Sequence, residues 1–223
     1  MPTRAESGGA SYLVPSGYGE AELIEKRSRF IGRVWPAETE EEALAYLART
    51  RERHRDASHN VYAYIIRDGG FMRYSDDGEP GGSSGMPTLN VFRSAGIYNF
   101  CCVVTRYFGG TLLGTGGLAR AYSAAAKLAL DVAGISEMAL WRPYRLMCSY
   151  SQYNQLARLL EESDAARIEA EFGERVVVSA MLRAETADDF DAKLLERFAA
   201  TVEADAEPEI FMAVSSEKNI ENK

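Results

Sequence analysis

The second half of the chain switches between two hydrophobic periods, and the order of the switches leaves little choice of fold. Tyr144 to Tyr150 reads as a strand, Gln152 to Glu162 as a helix, and Arg167 to Phe172 and Val176 to Ala184 as two strands. Asp188 to Ala200 returns to helical spacing, and Glu209 to Val214 closes as a strand. The sum is β-α-β-β-α-β, the ferredoxin-like pattern. Details agree with it: Tyr153, Leu156 and Leu160 fall on one helix face, Ser151 stands where a cap belongs, and Ile168, Ala170 and Phe172 alternate along a strand. This domain is expected over residues 143–215, with the boundary between Glu137 and Pro143 and a polar tail from Ser215 to Lys223. With 223 residues and 46% hydrophobic content there is material for a second core ahead of it, over residues 18–137. The fold class is therefore α+β, and no internal repeat is visible.

In the first half, Glu22 to Val34 reads as extended. Glu40 to Arg53 reads as a helix capped by Thr39, with Ala43, Leu44, Leu47 and Ala48 on one face. Asn60 to Arg67 and Phe71 to Tyr74 form two strands about the Gly69-Gly70 turn, and Pro87 opens a short helix that ends near Gly96. Phe100 to Tyr107 is a buried strand, Gly109 to Gly117 a loop, and Leu118 to Val132 a helix carrying Ala119, Tyr122, Ala126 and Leu130 inward. Cys101 and Cys102 are neighbours on that strand, so they point to opposite faces, and with Cys148 they make an odd count. Free buried thiols in a reducing compartment follow, not a disulfide scaffold. Met1 to Gly19 lacks the apolar core of a secretory signal, and no apolar run reaches the roughly 20 residues of a spanning helix. A cytoplasmic protein without membrane contact is expected.

The net charge of −8 argues against a generally basic nucleic-acid binder, but the charge is uneven. Residues 1–137 carry 15 Lys+Arg against 16 Asp+Glu (net −1), and residues 138–223 carry 10 against 17 (net −7). An anionic partner prefers the N-terminal part.

Two stretches there depart from ordinary core-and-surface composition: Ser75 to Gly85, which contains Asp76, Asp77, Gly78 and Glu79, and Thr105 to Ser123, which contains Gly109, Gly110, Gly114, Gly116 and Gly117. Ordering so many glycines costs backbone entropy, which is usual where a loop needs positive φ or a close approach to something else. The second stretch runs into a helix whose first N–H groups lack partners and whose dipole favours negative charge, a natural phosphate cradle. Arg106 and Arg120 are placed to add charge-assisted bonds. A tight strand-to-helix connection with no ligand is the plainer alternative.

Other nucleotide motifs fail. Gly114-x-Gly116-x-x-Ala119 fits a dinucleotide fingerprint formally, but its strand ends too early and no ribose-binding acid follows. Gly109 to Gly114 begins like a Walker loop, yet Thr115 stands where lysine must reach phosphate. Asp76, Asp77 and Glu79 have the chemistry to share Mg²⁺ with a phosphate or to work as an acid/base pair, though Asp-Asp-Gly is also what a simple turn looks like. His54 and His59 are the only histidines, and each is more often a local hydrogen-bonding residue than a catalyst. Zinc is poorly supported without Cys-x-x-Cys, and no Gly-x-Ser-x-Gly elbow marks a nucleophile. No cofactor is called for, and metal ligands are left open.

Ser75-Asp76-Asp77-Gly78-Glu79-Pro80, Gly85 to Pro87, Arg106 to Gly110 and Leu113 to Leu118, continued by Ala119 to Ser123, resemble the hallmark runs of the IMPACT/YigZ family. Ser28 to Ile31 and Ala57 to Asn60 also fit, and the resemblance spans roughly residues 18–215. Many members have lysine where this chain has Leu112, which weakens a phosphate role there. The resemblance implies an N-terminal domain like the second domain of ribosomal protein S-five, followed by the ferredoxin-like domain, an order similar to the last two domains of elongation factor G. It also implies contact with RNA or the ribosome. Eukaryotic relatives regulate translation through an added RWD domain, for which there is no room before Tyr18, so a role in the stress-kinase pathway is not expected to carry over.

Two functions compete. In the first, an RNA- or ribosome-associated binding protein and translation regulator, Arg29, Arg106, Arg120 and Lys127 meet phosphates, the glycines of the second stretch line the cradle, and Tyr107 or Tyr122 stacks on bases. In the second, an enzyme acts on a phosphorylated or other anionic small molecule between the two stretches. His59 is then its general base, Asp76, Asp77 and Glu79 hold metal or shuttle protons, and Arg106 clamps the anion. Peptidase activity has little support, and the oligomeric state is not legible.

Overall fold

The computed structural model describes residues 11–215. The expected polar tail, Ser215 apart, and the first ten residues lie outside these residues. The chain divides into two compact units, Tyr12–Glu137 and a second that takes up the described residues from Met138 on.

The N-terminal unit is a five-stranded sheet with helices on both faces. Its strands are β2 (Gly19–Glu25), β3 (Ser28–Pro36), β4 (His59–Ile66), β5 (Phe71–Ser75) and β6 (Phe100–Tyr107), in the order β2-β3-β6-β4-β5. The short strand β1 (Tyr12–Pro15) precedes them. All neighbouring pairs in this sheet are antiparallel. Because side chains alternate, β6 sends Cys101 and Val103 to the face covered by α1 (Glu40–Arg53), and Cys102 and Val104 to the face covered by α2 (Gly85–Ser94) and α3 (Gly114–Ala133). The two neighbouring cysteines therefore serve separate cores, and all three are free and buried. The larger core joins Phe30, Val34, Val61, Phe100 and Val104 to Leu89, Phe92, Tyr122, Ala125 and Leu130. Small residues on α3 let it lie close: a Cβ on Gly32 would sit 2.3 Å from the Ala125 carbonyl oxygen, and one on Gly19 2.1 Å from that of Ala129.

Thr39 caps α1 as expected, accepting from the Glu42 N–H at 3.2 Å. The buried stripe of α1 is Ala43, Leu47 and Thr50, whereas Leu44 and Ala48 turn to solvent. Two helices start earlier than their residues suggest. α2 begins at Gly85, before Pro87, and α3 at Gly114, four residues before Leu118.

In the C-terminal unit, β7 (Ile135–Cys148), α4 (Tyr150–Glu162), β8 (Ala166–Phe172), β9 (Val176–Arg183), α5 (Ala184–Phe198), β10 (Glu203–Ala206) and β11 (Ile210–Ser215) follow one another. The sheet runs β7-β9-β8, with β10 and β11 both paired to β7, so the last strand of the ferredoxin-like order is split in two. Leu156, Leu159 and Leu160 from α4 and Phe190, Leu194 and Phe198 from α5 pack on Tyr144, Leu146, Val176, Val178 and Leu182. The cap of α4 is Ser149, not Ser151: Ser149 and Gln152 form a capping box.

Candidate functional site

β6 lies between β3 and β4, and its last two residues face opposite ways. Arg106 sits across from Phe30 on one neighbour and His59 on the other, on the α2/α3 side. Its side chain is only 6% exposed. Nη1 donates to Glu79 Oε1 at 2.6 Å, Nη2 to Ser28 Oγ at 3.3 Å, and the guanidinium carbon lies 5.3 Å from the Phe30 ring centroid and 5.4 Å from that of Phe108. The Tyr122 hydroxyl, brought by α3, donates to the same Glu79 oxygen at 2.7 Å. Burial, and then the Glu79 carboxylate, push the Tyr122 hydroxyl well above its ordinary pKa. One buried carboxylate thus joins the two glycine-rich stretches.

The turn that presents Glu79 explains its sequence. Asp77 (φ 45°) and Gly78 (φ 89°) are both left-handed, and the Glu79 N–H donates to the Asp76 carbonyl at 3.0 Å, the geometry of a type I′ turn. Asp76 accepts from the N–H groups of Gly82, Ser84 and Gly85 at 2.8, 3.0 and 2.8 Å, and from the Ser84 hydroxyl at 2.7 Å. It caps the start of α2 from eight residues upstream. Burial alone would raise its pKa, but those four donors outweigh it and hold the carboxyl below the usual range. Asp77 accepts from the Asn60 N–H and from Arg51 Nη2, each at 2.7 Å.

These contacts give the acids structural partners: Asp76 and Asp77 hold backbone and a helix start together, and Glu79 Oε1 accepts from both Arg106 and Tyr122. His59 Nδ1 donates to the Asp77 carbonyl at 2.8 Å, and its Nε2 stands 3.9 Å from Glu79 Oε1, too far for a hydrogen bond. Among the described residues no group of three His, Cys, Asp or Glu side chains is placed to hold a metal ion.

The glycines that follow β6 have separate jobs. The Gly109 N–H donates to Ser28 Oγ at 3.1 Å, and a Cβ there would lie 2.0 Å from the Arg27 carbonyl carbon, so the loop is seated on the β2–β3 turn of Lys26 and Arg27. Gly110 (φ 81°) and Gly114 (φ 72°) need the left-handed region. Gly114, Gly116 and Gly117 form the first turn of α3, where no side chain caps the helix. Gly114, Thr115 and Gly116 are exposed, and the Arg120 guanidinium reaches within 3.6 Å of where a Gly116 Cβ would stand. Phe108 is 48% and Leu112 83% exposed beside them.

The remaining candidates do not join this surface. Tyr122 is fully buried with its hydroxyl on Glu79, so its ring has no face to offer a base. Arg106 is enclosed rather than open to a ligand. Lys127 lies about 20 Å down the α3 axis from Gly114 and pairs with Asp131. Tyr107 points to the α1 side, donating to Asp56 Oδ1 at 3.2 Å and meeting His54 Nδ1 at 2.8 Å; Arg29 lies over its ring and bridges to Glu22. Sequence reasoning did not single out the partners that organise the network, Ser28, Arg51 and Asn60. Ser28 and Asn60 carried a signal, a polar residue at a buried strand position, whereas Arg51, half-exposed on α1, carried none.

Residues 26–130 match the model of the Impact N-terminal domain, and residues 146–201 a domain of unknown function, DUF1949. The IMPACT family member YigZ of Escherichia coli is 33% identical over 83% of this chain and 93% of its own. The family member YvyE of Bacillus subtilis is 35% identical over 74% of this chain and 77% of its own. This chain belongs to the IMPACT family. The crystal structure of a hypothetical protein, 30% identical, covers 94% of this chain and 98% of its own with a TM-score of 0.55. The whole polar network, from Ser28 to Tyr122, falls inside the Impact N-terminal match. No helix among the described residues is long and apolar enough to cross a membrane.

Proposed function

We propose that this IMPACT-family protein is a cytoplasmic RNA- or ribosome-associated binding protein that regulates translation. It holds phosphate groups at the β2–β3 turn, the loop after β6 and the first turn of α3. The observation that carries the reading is the uncapped, exposed start of a 20-residue helix, with Arg120 in its second turn and exposed Lys26 and Arg27 on the hairpin that seats the loop. Open N–H groups and the helix dipole favour an anion there, and the arginines add charge-assisted bonds. Phe108 offers a half-exposed ring for stacking. The near-neutral charge of residues 1–137, against −7 for the rest, supports placing an anionic partner on this unit. The structural donors on Asp76, Asp77 and Glu79 Oε1 support the binding reading over the enzyme reading.

The test is binding of labelled ribosomal RNA and co-sedimentation with ribosomes at rising salt. Log affinity should fall linearly with log salt, and Arg120→Gln should weaken binding evenly across sequences and reduce the slope by about 1. Absence of binding at low salt, or affinity indifferent to salt, would end the reading.

A further inference from the structure

The α1 side of the N-terminal sheet is only partly covered. α1 packs mainly on β6 and β4. A cleft of about 350 Å³ lies beside it, lined by Arg33 and Trp35 of β3 and by Tyr18. Its aromatic side is a stack of rings: Trp35 is stacked on Tyr46 with centroids 5.0 Å apart and planes at 6°, and Tyr18, 51% exposed, leans on Trp35 at 5.4 Å. Arg33, Arg49 and Arg53 also line it, and no carboxylate does. Arg33 is buried, and Glu20 at 2.7 Å balances its charge. Arg49 lies over the Tyr46 ring at 4.9 Å, and no ion pair of the described residues includes Arg49 or Arg53. His54 closes one end; its burial, and then the Arg33 and Arg53 charges, hold the imidazole below its ordinary pKa, so the positive charge comes from arginine.

A bare anion would use the arginines and waste the aromatic wall. A neutral ring would use the wall and leave two guanidinium groups unmatched. A planar ring that carries an anion satisfies both, and the volume suits one such unit. We propose that this cleft binds a single nucleotide unit, the base against the exposed Tyr18 ring of the Tyr18–Trp35–Tyr46 stack and the phosphate on Arg49 and Arg53. The unit is a free nucleoside monophosphate or an unpaired nucleotide of an RNA strand. The cleft is on the α1 side of the sheet and the first turn of α3 belongs to the helix on the other side, so this site and the phosphate surface proposed above can fail separately.

Trp35 reports on the site directly. The chain has two tryptophans, and the other, Trp141, is buried in the C-terminal unit, so the full-length W141F chain, excited at wavelengths tyrosine does not absorb, leaves Trp35 as the sole emitter. AMP, GMP, CMP and UMP are titrated alongside adenosine, inorganic phosphate and a 5′-phosphorylated hexaribonucleotide. Saturable quenching is expected from a monophosphate or from the hexamer, about tenfold weaker for adenosine or phosphate alone, and about tenfold weaker in Arg53→Gln and Tyr18→Ala. Saturation by a monophosphate assigns the free ligand, and saturation by the hexamer alone assigns an RNA strand. Circular dichroism verifies the fold of each variant, and calorimetry on the wild-type chain provides the same contrasts if W141F does not fold. No quenching at millimolar ligand, or quenching unchanged in Arg53→Gln and Arg49→Gln, overturns the proposal.

Discussion

Tyrosines aside, every buried charged, hydroxyl or amide side chain among the described residues, from Ser28 to Arg106, belongs to the N-terminal unit, save Ser136 where β7 begins at the boundary. The C-terminal unit instead builds its core from Tyr144, Leu146, Leu156, Val178, Phe190 and their neighbours, and keeps ion pairs such as Arg142 with Asp188 and Glu209 toward solvent. Removing Arg106 and Glu79 from water costs several kcal/mol that only good geometry offsets, so an apolar core is the cheaper solution wherever shape alone is needed. The N-terminal unit accepts that cost where its two glycine-rich stretches meet. The lesson is that its polar core fixes the loops of a binding surface, while the C-terminal core needs only to hold a fold.

The contrast is broken most easily at Glu79. Glu79→Ala leaves Arg106 charged and buried without its partner, and should destabilise the N-terminal unit by about 3–5 kcal/mol in urea unfolding, with the C-terminal transition unmoved. A loss below about 1 kcal/mol would mean that the network is decorative. Asp76→Ala should cost about 2–3 kcal/mol, because the Ser84 and Gly85 N–H groups at the start of α2 lose their acceptor. Asp76 also predicts a pH effect. Its folded pKa is lowered, so its stabilisation is complete above the unfolded value of 3.8 and is lost as pH falls through the folded value. The stability gap between wild type and Asp76→Asn should therefore shrink as acid is added below that point, and a gap that widens would refute the assignment. Arg142→Ala in the other unit, where the arginine is 21% exposed but its partner Asp188 89%, should cost about 1–2 kcal/mol, less than Glu79→Ala, and less in high salt.

Much of the fold was legible. Thr39 and the turn signals around Phe100 and Tyr107 delimit α1 and β6, and the period of two already places Cys101 opposite Cys102 and Arg106 opposite Tyr107. Most of what escaped lies in short or glycine-rich segments; the β2–β3 turn escaped because Lys26 (φ 45°) and Arg27 (φ 68°) take left-handed backbone without a glycine to mark it. β1 and β10 have four residues each, too few to show a period. The first turn of α3 is hidden because glycine is a poor helix former, and here tertiary seating of the loop on Arg27 and Ser28 overrides propensity. Ser149 outcompetes Ser151 as a cap because Gln152 completes its box. At the site, the dense glycines announced a convergence. The fate of each acid was not readable, because Asp76 finds its acceptor role only when Gly82 to Gly85 fold back over it.

The claim that the phosphate surface belongs to the N-terminal unit can be measured by neutralising equal charge on each unit and following RNA binding at low salt. Arg27→Gln with Arg120→Gln should weaken binding and flatten its salt dependence by about 2 in log–log slope, while Arg145→Gln with Arg158→Gln, exposed on the C-terminal unit, should leave both unchanged. Equal losses from the two pairs, or a loss from the C-terminal pair alone, would contradict it.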